Sequence, residues 1–166
     1  TIIPDDKFQN CSLLTSTILP ATISEIGKRA FYGCSSLTSI TLPSNVKVIG
    51  NSAFEKCSRL NSVIWGANGA ALTTLGNLAF KETALTTLFI PEGSNLSIGY
   101  GIVAGCENLE KLTGSYLTPD GNILYKDKFI KAVTRNAFDS EGKLVIDSNW
   151  MATNGGIDGY LFFNNK

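Results

Sequence analysis

A repeat of 23 residues constrains this chain more than any other feature of the sequence. Phe8, Phe31 and Phe54 are 23 residues apart, and a cysteine follows each of them by three residues. The stretch 30–43 contains every position of the template, from an Ala-Phe pair to a closing proline. A fixed period of this length is typical of proteins built from stacked units. Because one unit cannot bury its apolar face alone, neighbouring units must stack to form a core.

The second half of each unit predicts a short strand. In the copy at 37–42, leucine and isoleucine side chains alternate with Ser39 and Thr41. Since successive side chains of a strand point to opposite faces, we expect the apolar ones inward and Ser39 and Thr41 outward. Pro43 ends the strand, because proline has no N–H to donate to a neighbouring strand.

The first half of each unit, at 26–34 in the second copy, is too short for an independent helix and predicts a helical turn or an irregular segment. A glycine four residues before three of the phenylalanines, and at the same place in the fifth unit, predicts either a positive φ or a close approach between units. An asparagine after two of these glycines suggests a helix N-cap. These residues are Gly27, Gly50, Gly76 and Gly99, with Asn51 and Asn77.

The repeat becomes less regular after its third copy. Three extra residues at 66–71 lengthen the spacing from Phe54 to Phe80 to 26 residues. Thr83 stands where a cysteine is expected, and Leu85 comes one residue early. In the fifth unit Val103 replaces the phenylalanine. We therefore expect the regular curvature of the stack to change near its middle.

The domain prediction is a single repeat domain over residues 1–166. Repeats are expected at about 8–114 and, more weakly, at 130–146. Turn signals at 119–122 and 126–128 predict a small hairpin inserted at about 116–129. The segment 147–166 is either a cap or a partial repeat. Because the chain begins with Thr1 inside a repeat, we expect it to be part of a longer array.

The template resembles the BspA-like class of leucine-rich repeats. The residues that carry the resemblance are Leu37, Ile40, Leu42 and Pro43, followed by Ile49, Gly50, Ala53, Phe54 and Cys57. The resemblance implies an α/β fold: a right-handed solenoid with one parallel sheet and short helical turns or irregular segments opposite. It also implies an extracellular or cell-surface bacterial protein, since some members act as adhesins for host matrix proteins or other bacteria.

Composition and motifs argue against several function classes. The net charge is zero and no polybasic run is present, so a nucleic-acid partner is not predicted. No apolar run approaches the roughly 18 residues of a membrane span. The chain has no histidine, which excludes Ser-His-Asp and Cys-His catalysis. A carboxylate pair acting as a glycosidase has no fixed separation to support it. We predict neither catalytic residues nor a cofactor, and no enzyme activity.

The cysteines are predicted to be free thiols. Cys11, Cys34, Cys57 and Cys106 lack the C-x-x-C spacing of a zinc site, so no metal is expected. Stacked units about 4.8 Å apart would allow disulfides between neighbouring cysteines. Buried thiols that fill the core as small apolar groups are the simpler interpretation.

The outward strand positions are the candidate functional site. In a solenoid they form an extended face that can bind a protein partner, although β-branched residues also simply suit a sheet. Trp65 is either an anchor at the rim of this face or a bulky replacement at the strand end. The predicted site residues, in two rows that also include Ser16, are Ile18, Ser39, Thr41, Ser62, Ile64, Thr87, Phe89, Lys111 and Thr113.

The sequence thus predicts a non-catalytic, adhesin-like interaction module. The expected partner is a host matrix protein or a bacterial surface protein, and a glycan is an alternative ligand. Two other functions stay open at this point. One is a structural spacer within a larger surface protein, and the other is a carbohydrate-binding accessory protein, which would need aromatic platforms such as Phe89.

Overall fold

The computed structural model describes residues 1–91, 96–99 and 101–109, and the backbone of residues 111–114. The predicted hairpin at about 116–129, the weak repeat at 130–146 and the segment 147–166 lie outside these residues. No helix in the described part of the chain is long and apolar enough to cross a membrane.

Two kinds of strand alternate along the chain. Two-residue strands form one set, and strands of three or four residues form the other. The short strands are β1 (Ile2–Ile3), β3 (Glu25–Ile26), β5 (Val48–Ile49), β7 (Thr74–Leu75) and β9 (Ser97–Ile98). The longer strands are β2 (Ser16–Ile18), β4 (Ser39–Leu42), β6 (Ser62–Trp65), β8 (Thr87–Ile90) and β10 (Lys111–Gly114). One 3₁₀ segment, Gly66–Gly69, follows β6.

All strand pairs among the described residues are parallel, and each pair joins equivalent strands of successive units. One such unit is here called a rung. The short strands form one continuous ladder in the order β1-β3-β5-β7-β9. The longer strands form a three-stranded sheet, β2-β4-β6, and a separate pair, β8-β10. The predicted parallel solenoid is therefore confirmed, and the structure adds the ladder of short strands. The right-handed winding stays a prediction.

The segments opposite the longer strands are turns rather than helices, and they too are bonded from rung to rung. The backbone N–H of each stacked phenylalanine donates to a carbonyl in the next rung at 2.8 Å. The bonds run from Phe8 to Ala30, from Phe31 to Ala53, from Phe54 to Ala79 and from Phe80 to Ile102. Within a rung, the cysteine N–H closes a turn on the phenylalanine carbonyl, as from Cys34 to Phe31 at 3.2 Å.

Each turn segment has two residues with positive φ, four positions apart. Glycine occupies such positions at Gly33, Gly101 and Gly105, and other residues occupy the rest, including Arg29 and Lys56. A positive φ at the third position is typical of type II turns, which favour glycine there. The repeated turn geometry imposes this conformation even where the sequence supplies a less suitable residue.

Phenylalanine rings form the centre of the core. Phe8, Phe31, Phe54 and Phe80 stack with ring centroids 5.1 to 5.3 Å apart. The strand residues predicted to face inward, Leu37, Ile40 and Leu42, are at most 1% exposed. Burial of one such side chain contributes about 1.5–3 kcal/mol, so several per rung supply most of the stability.

The predicted thiols are confirmed as free, with one correction to their burial. Cys34, Cys57 and Cys106 are buried, whereas Cys11 is exposed. Sequence position alone places Cys11 in the core with the others. Cys11 lies on the first rung. No described rung covers the outer side of that rung, so its cysteine is not enclosed as the cysteines of later rungs are.

The glycine before each turn is required by close approach between rungs and not by a positive φ. A Cβ at Gly50 would lie 2.6 Å from the Lys28 nitrogen, and one at Gly76 would lie 2.5 Å from the Asn51 nitrogen. The predicted N-cap role of Asn51 is wrong, because no helix follows it. Its Oδ1 instead accepts the Asn77 N–H of the next rung at 2.9 Å.

The longer-strand sheet is interrupted between β6 and β8, although the other two sets of inter-rung bonds continue. Val48 still pairs with Thr74, and Phe54 still donates to Ala79. The interruption lies between the two length changes seen in the sequence, namely the added residues after β6 and the early Leu85 before β8. We expect these changes in length to put β8 out of register with β6.

Candidate functional site

The outward positions of β2, β4 and β6 form two straight rows. Backbone register places Ser16 beside Ser39 and Ser39 beside Ser62, and likewise aligns Ile18, Thr41 and Ile64. These six residues are here called the paired face. Parallel strands lie about 4.8 Å apart, so equivalent side chains on neighbouring rungs are in contact range. The predicted rows are thus present over three rungs.

Two isoleucines of the paired face are exposed to solvent. Ile18 is 92% exposed and Ile64 is 53% exposed. Thr41 between them is also exposed, while Ser39 and Ser62 are half-buried. Exposed apolar residues are common singly, but aligned ones on an extended face often mark a binding surface.

The remaining predicted site residues belong to the separate sheet beyond the interruption. Thr87 on β8 is exposed and Phe89 is half-buried. Backbone register aligns Thr87 with Lys111 and Phe89 with Thr113 on β10. The nine predicted residues therefore do not form one continuous surface. Five of them lie on the paired face, and the other four lie on the β8-β10 pair.

Trp65 is half-buried and packs against the hydrophobic core. It pairs with Leu42, which points inward, and its ring meets the edge of Phe80 at 6.5 Å and 79°. Its buried Nε1 has no hydrogen-bond partner among the described residues. The bulky replacement at the strand end is the interpretation that the structure supports.

No residue of the paired face is charged, and the outward residues of β8, Thr87 and Phe89, are also uncharged. Residues 8–24, 30–46 and 83–91 contain no Asp, Glu, Lys or Arg. The charges lie largely on the turn side, where they pair with one another. Arg29 contacts Asp6 through Nε–Oδ1 at 2.7 Å and Nη2–Oδ2 at 3.0 Å. This bidentate contact raises the pKa of Arg29.

A second group of charges on the turn side is also internally paired. Lys81 Nζ lies 3.1 Å from the buried carboxylate of Glu55 and 3.2 Å from that of Glu82. The hydrogen bond to Glu55 raises the pKa of Lys81. Lys56 Nζ lies 5.5 Å from the centroid of the Tyr32 ring, and its contact with Tyr32 raises its pKa. These charges satisfy each other, which makes the turn side a poor candidate for recognising a charged ligand.

The buried thiols bond to the carbonyls of the preceding rung. Cys34 Sγ donates to Phe8 O at 3.1 Å, and Cys57 Sγ donates to Phe31 O at 3.0 Å. The hydrogen bond with Cys34 and burial raise the pKa of Cys57. Burial likewise raises the pKa of Cys106. The same hydrogen bond with Cys57 lowers the pKa of Cys34. Since the thiolate is the reactive form, the raised pKa values make Cys57 and Cys106 poor nucleophiles.

Among residues 1–91, 96–99 and 101–109, no group of three or more His, Cys, Asp or Glu side chains is placed to hold a metal ion.

Comparison with protein families identifies the repeat. The model of the BspA-type leucine-rich repeat region matches residues 1–118 with six copies. The chain belongs to the BspA-type leucine-rich repeat family. Its members are bacterial surface proteins, and their repeats generally serve in protein interaction. No curated protein matches the chain.

Solved bacterial structures share this fold. A leucine-rich repeat protein from Bacteroides ovatus ATCC 8483 is similar with a TM-score of 0.62 and 34% identity, over 72% of this chain and 29% of that protein. The T. pallidum leucine-rich repeat protein has a TM-score of 0.61 and 26% identity, over 67% of this chain and 50% of its own.

A leucine-rich cell surface protein from Faecalibacterium prausnitzii A2-165 is also similar. Its TM-score is 0.59 at 29% identity, over 66% of this chain and 28% of that protein. The chain thus spans half or less of the length of each of these three structures.

One feature of this BspA-type array could not be derived from the template alone. The split of the candidate site between β6 and β8 depends on which of three bonded ladders absorbs a length change. The neutrality of the paired face, by contrast, was visible in the sequence, since residues 8–24, 30–46 and 60–80 lack charged side chains. Together with the repeat, the positions of these uncharged segments would have distinguished the uncharged strand side from the charged turn side.

Proposed function

We propose that this domain is a non-catalytic interaction module of a bacterial surface protein, and that it binds a protein partner through the paired face. The observation that carries the proposal is the in-register row Ile18–Thr41–Ile64, whose two isoleucines are exposed on a surface without charge. Family membership supports an extracellular location and an adhesin-like role, with host matrix proteins or bacterial surface proteins as partners.

The main competing function is a structural spacer, which requires different properties of the residues on the paired face. A spacer needs only its core and its inter-rung bonds, so it tolerates charge at exposed strand positions. A binding module does not, because an aspartate in a desolvated contact lacks a partner. A carbohydrate-binding role is less well supported, since Phe89 is the one aromatic residue at the outward strand positions of β2, β4, β6 and β8, and it is half-buried.

The test is a binding screen against soluble matrix proteins and glycans, with an Ile18→Asp/Ile64→Asp double variant. Ile2→Asp is the matched control, because Ile2 is 55% exposed and lies on the other ladder. Thermal melts establish that each variant folds. We expect a bound protein that the double variant loses and the control retains. Equal binding by both variants would remove the paired face from the function, and no binding by any of them would favour the spacer.

A further inference from the structure

The size and neutrality of the paired face limit what it can recognise. Three paired rungs with two outward positions each form a strip of roughly 15 Å by 10 Å. A stable contact with a globular partner needs about 800 Å² on each side, which is several times more. Without charged side chains, the strip also offers no ion pair to a partner. It therefore suits a slender and uncharged segment.

The spacing of the exposed isoleucines matches one backbone conformation. Ile18 and Ile64 are two rungs apart in register, a separation of about 9.6 Å at the usual distance between parallel strands. A polyproline II helix repeats every three residues, or about 9.3 Å along its axis. An extended β-strand repeats its side chains at about 6.6–6.8 Å and does not match either one or two rungs.

The serine row supplies the complementary polar groups. Ser16, Ser39 and Ser62 run parallel to the isoleucine row, two residues earlier on each strand. A serine hydroxyl can donate one hydrogen bond and accept others. Polyproline II has no internal hydrogen bonds, and a proline residue offers a carbonyl but no N–H. Hydroxyl donors beside an apolar row therefore fit a proline-rich backbone.

From these three observations we propose that the paired face binds an uncharged, proline-rich segment in the polyproline II conformation. The segment lies along the solenoid axis, across the rungs, with apolar rings against Ile18 and Ile64 and carbonyls toward the serine row. This proposal deepens the proposed function and rests on it, because it assigns the class of partner to the same face. A preformed helix of this kind also loses little conformational entropy on binding.

The direct test uses an oligoproline of about 12 residues, which spans about 37 Å in this conformation, titrated against the isotope-labelled domain and followed by NMR. A glycine–serine peptide of equal length is the flexible neutral control. We expect shifts of the Thr41 and Ile64 amides with oligoproline only. Ile64→Asp should weaken binding at least about tenfold, as expected for the loss of one buried isoleucine contact. Ile2→Asp, with nearly the same exposure, should leave it unchanged.

A spacing variant separates the proposed geometry from simple apolar contact. Exchanging two residues, Thr41→Ile with Ile64→Thr, keeps the composition but places the isoleucines on neighbouring rungs. We expect this variant to fold and to bind oligoproline at least about fivefold more weakly, since only one of the two ring contacts stays in phase. Unchanged binding would overturn the match in spacing.

The outcomes distinguish failure of this inference from failure of the proposed function. A matrix protein that binds through Ile18 and Ile64 while oligoproline does not would overturn the polyproline II assignment alone. Loss of all binding on the paired face would overturn both. Sedimentation that shows a dimer abolished by Ile64→Asp would assign the face to a second copy of the chain and would also overturn the inference.

Discussion

The rungs before the insertion at Gly66–Gly69 and those after it are built on one template but are bonded differently. In the first three rungs, the longer strands, the short strands and the turns are all bonded from rung to rung. Between the third and fourth rungs only the short strands and the turns remain bonded. The stack therefore does not need hydrogen bonds in all three ladders. Where the length of the repeat unit changes, only the longer strands lose their pairing.

This difference has a consequence for function. The turn side contains the stacked phenylalanine rings, the close glycine contacts and the paired charges, so a substitution there disturbs neighbouring rungs. The outward positions of the longer strands contact mainly each other and solvent. A repeat protein can vary these positions without losing its fold, which suits a face that recognises a partner.

The aromatic column gives the largest expected effect. Phe54 is fully buried and stacks on Phe31 at 5.2 Å and on Phe80 at 5.3 Å. Phe54→Ala should lower the free energy of unfolding by about 3–5 kcal/mol, since it opens a cavity between two rings. Chemical denaturation monitored by circular dichroism measures this loss.

Phe80 continues the stack across the interruption, whereas the equivalent position of the fifth rung is Val103, which is 3% exposed and has no ring to stack. Val103→Ala should cost about 2 kcal/mol, because fewer methyl groups leave the core. Equal losses for the two variants would contradict the larger contribution that we expect from the phenylalanine column.

The glycine contacts test whether the turn side is continuous across the interruption. Gly50→Ala and Gly76→Ala each place a Cβ against backbone atoms of the preceding rung, at 2.6 Å and 2.5 Å from the nearest nitrogen. Both variants should lose about 1–3 kcal/mol, the usual cost of overpacking, because backbone cannot move aside as a flexible side chain can. Thermal melts beside the exposed Ser44→Ala control provide the comparison. A much smaller loss at Gly76 would mean that the rungs separate on the turn side as well.

The core and the general architecture could be predicted because they depend on periodicity. Leu37, Ile40 and Leu42 follow the alternation of a strand, and the 23-residue spacing requires them to stack. The short-strand ladder was not predictable by the same argument, because two residues such as Val48 and Ile49 are too few to show an alternation. The glycine positions were recognised, but two physical reasons fitted them equally well until distances between rungs were known.

The turn geometry was hidden for a different reason. Rules for positive φ point to glycine and asparagine, whereas Arg29 and Lys56 adopt it here because bonds to the next rung fix the backbone. The candidate face was predicted residue by residue, yet its division was not. The sequence contains the length changes around β6 and β8, but it does not tell which ladder absorbs them.

The buried thiols allow a comparison by pH. The pKa of Cys57, before the interruption, and that of Cys106, after it, are both raised in the folded protein. Their stabilising effect is complete below the unfolded cysteine pKa of about 8.5 and is lost as pH rises above it, because only the unfolded state then releases the proton. The free energy of unfolding should therefore fall by about 1.4 kcal/mol per buried thiol for every pH unit above that value.

Urea denaturation from about pH 7 to 9.5, with Cys57→Ala and Cys106→Ala beside the original protein, isolates the contribution of each thiol. Each variant should show a shallower decline of stability with pH. A slope unchanged by Cys106→Ala would indicate that the rungs beyond the interruption admit water to this site.

Restoring the template length should produce the smallest change in stability and the clearest change in bonding. Deleting Ala67, Asn68 and Gly69 and inserting a serine between Ala84 and Leu85 returns both intervals to those of the preceding rungs. We expect β8 to pair with β6 and the free energy of unfolding to rise by about 0.5–1 kcal/mol, since the net contribution of a hydrogen bond is small and the bulk of Trp65 offsets part of the gain.

Hydrogen–deuterium exchange provides the decisive measurement for this variant. In the original protein, the peptide around β8 should take up deuterium faster than the peptide around β4, because β4 is paired on both sides and β8 only with β10. In the restored variant the two should become similar. Either length change alone leaves β8 out of register and should not restore protection, so the single variants serve as controls. If deletion alone protects β8, the early Leu85 has no part in the interruption, and the insertion is sufficient to explain why the two halves of the array differ.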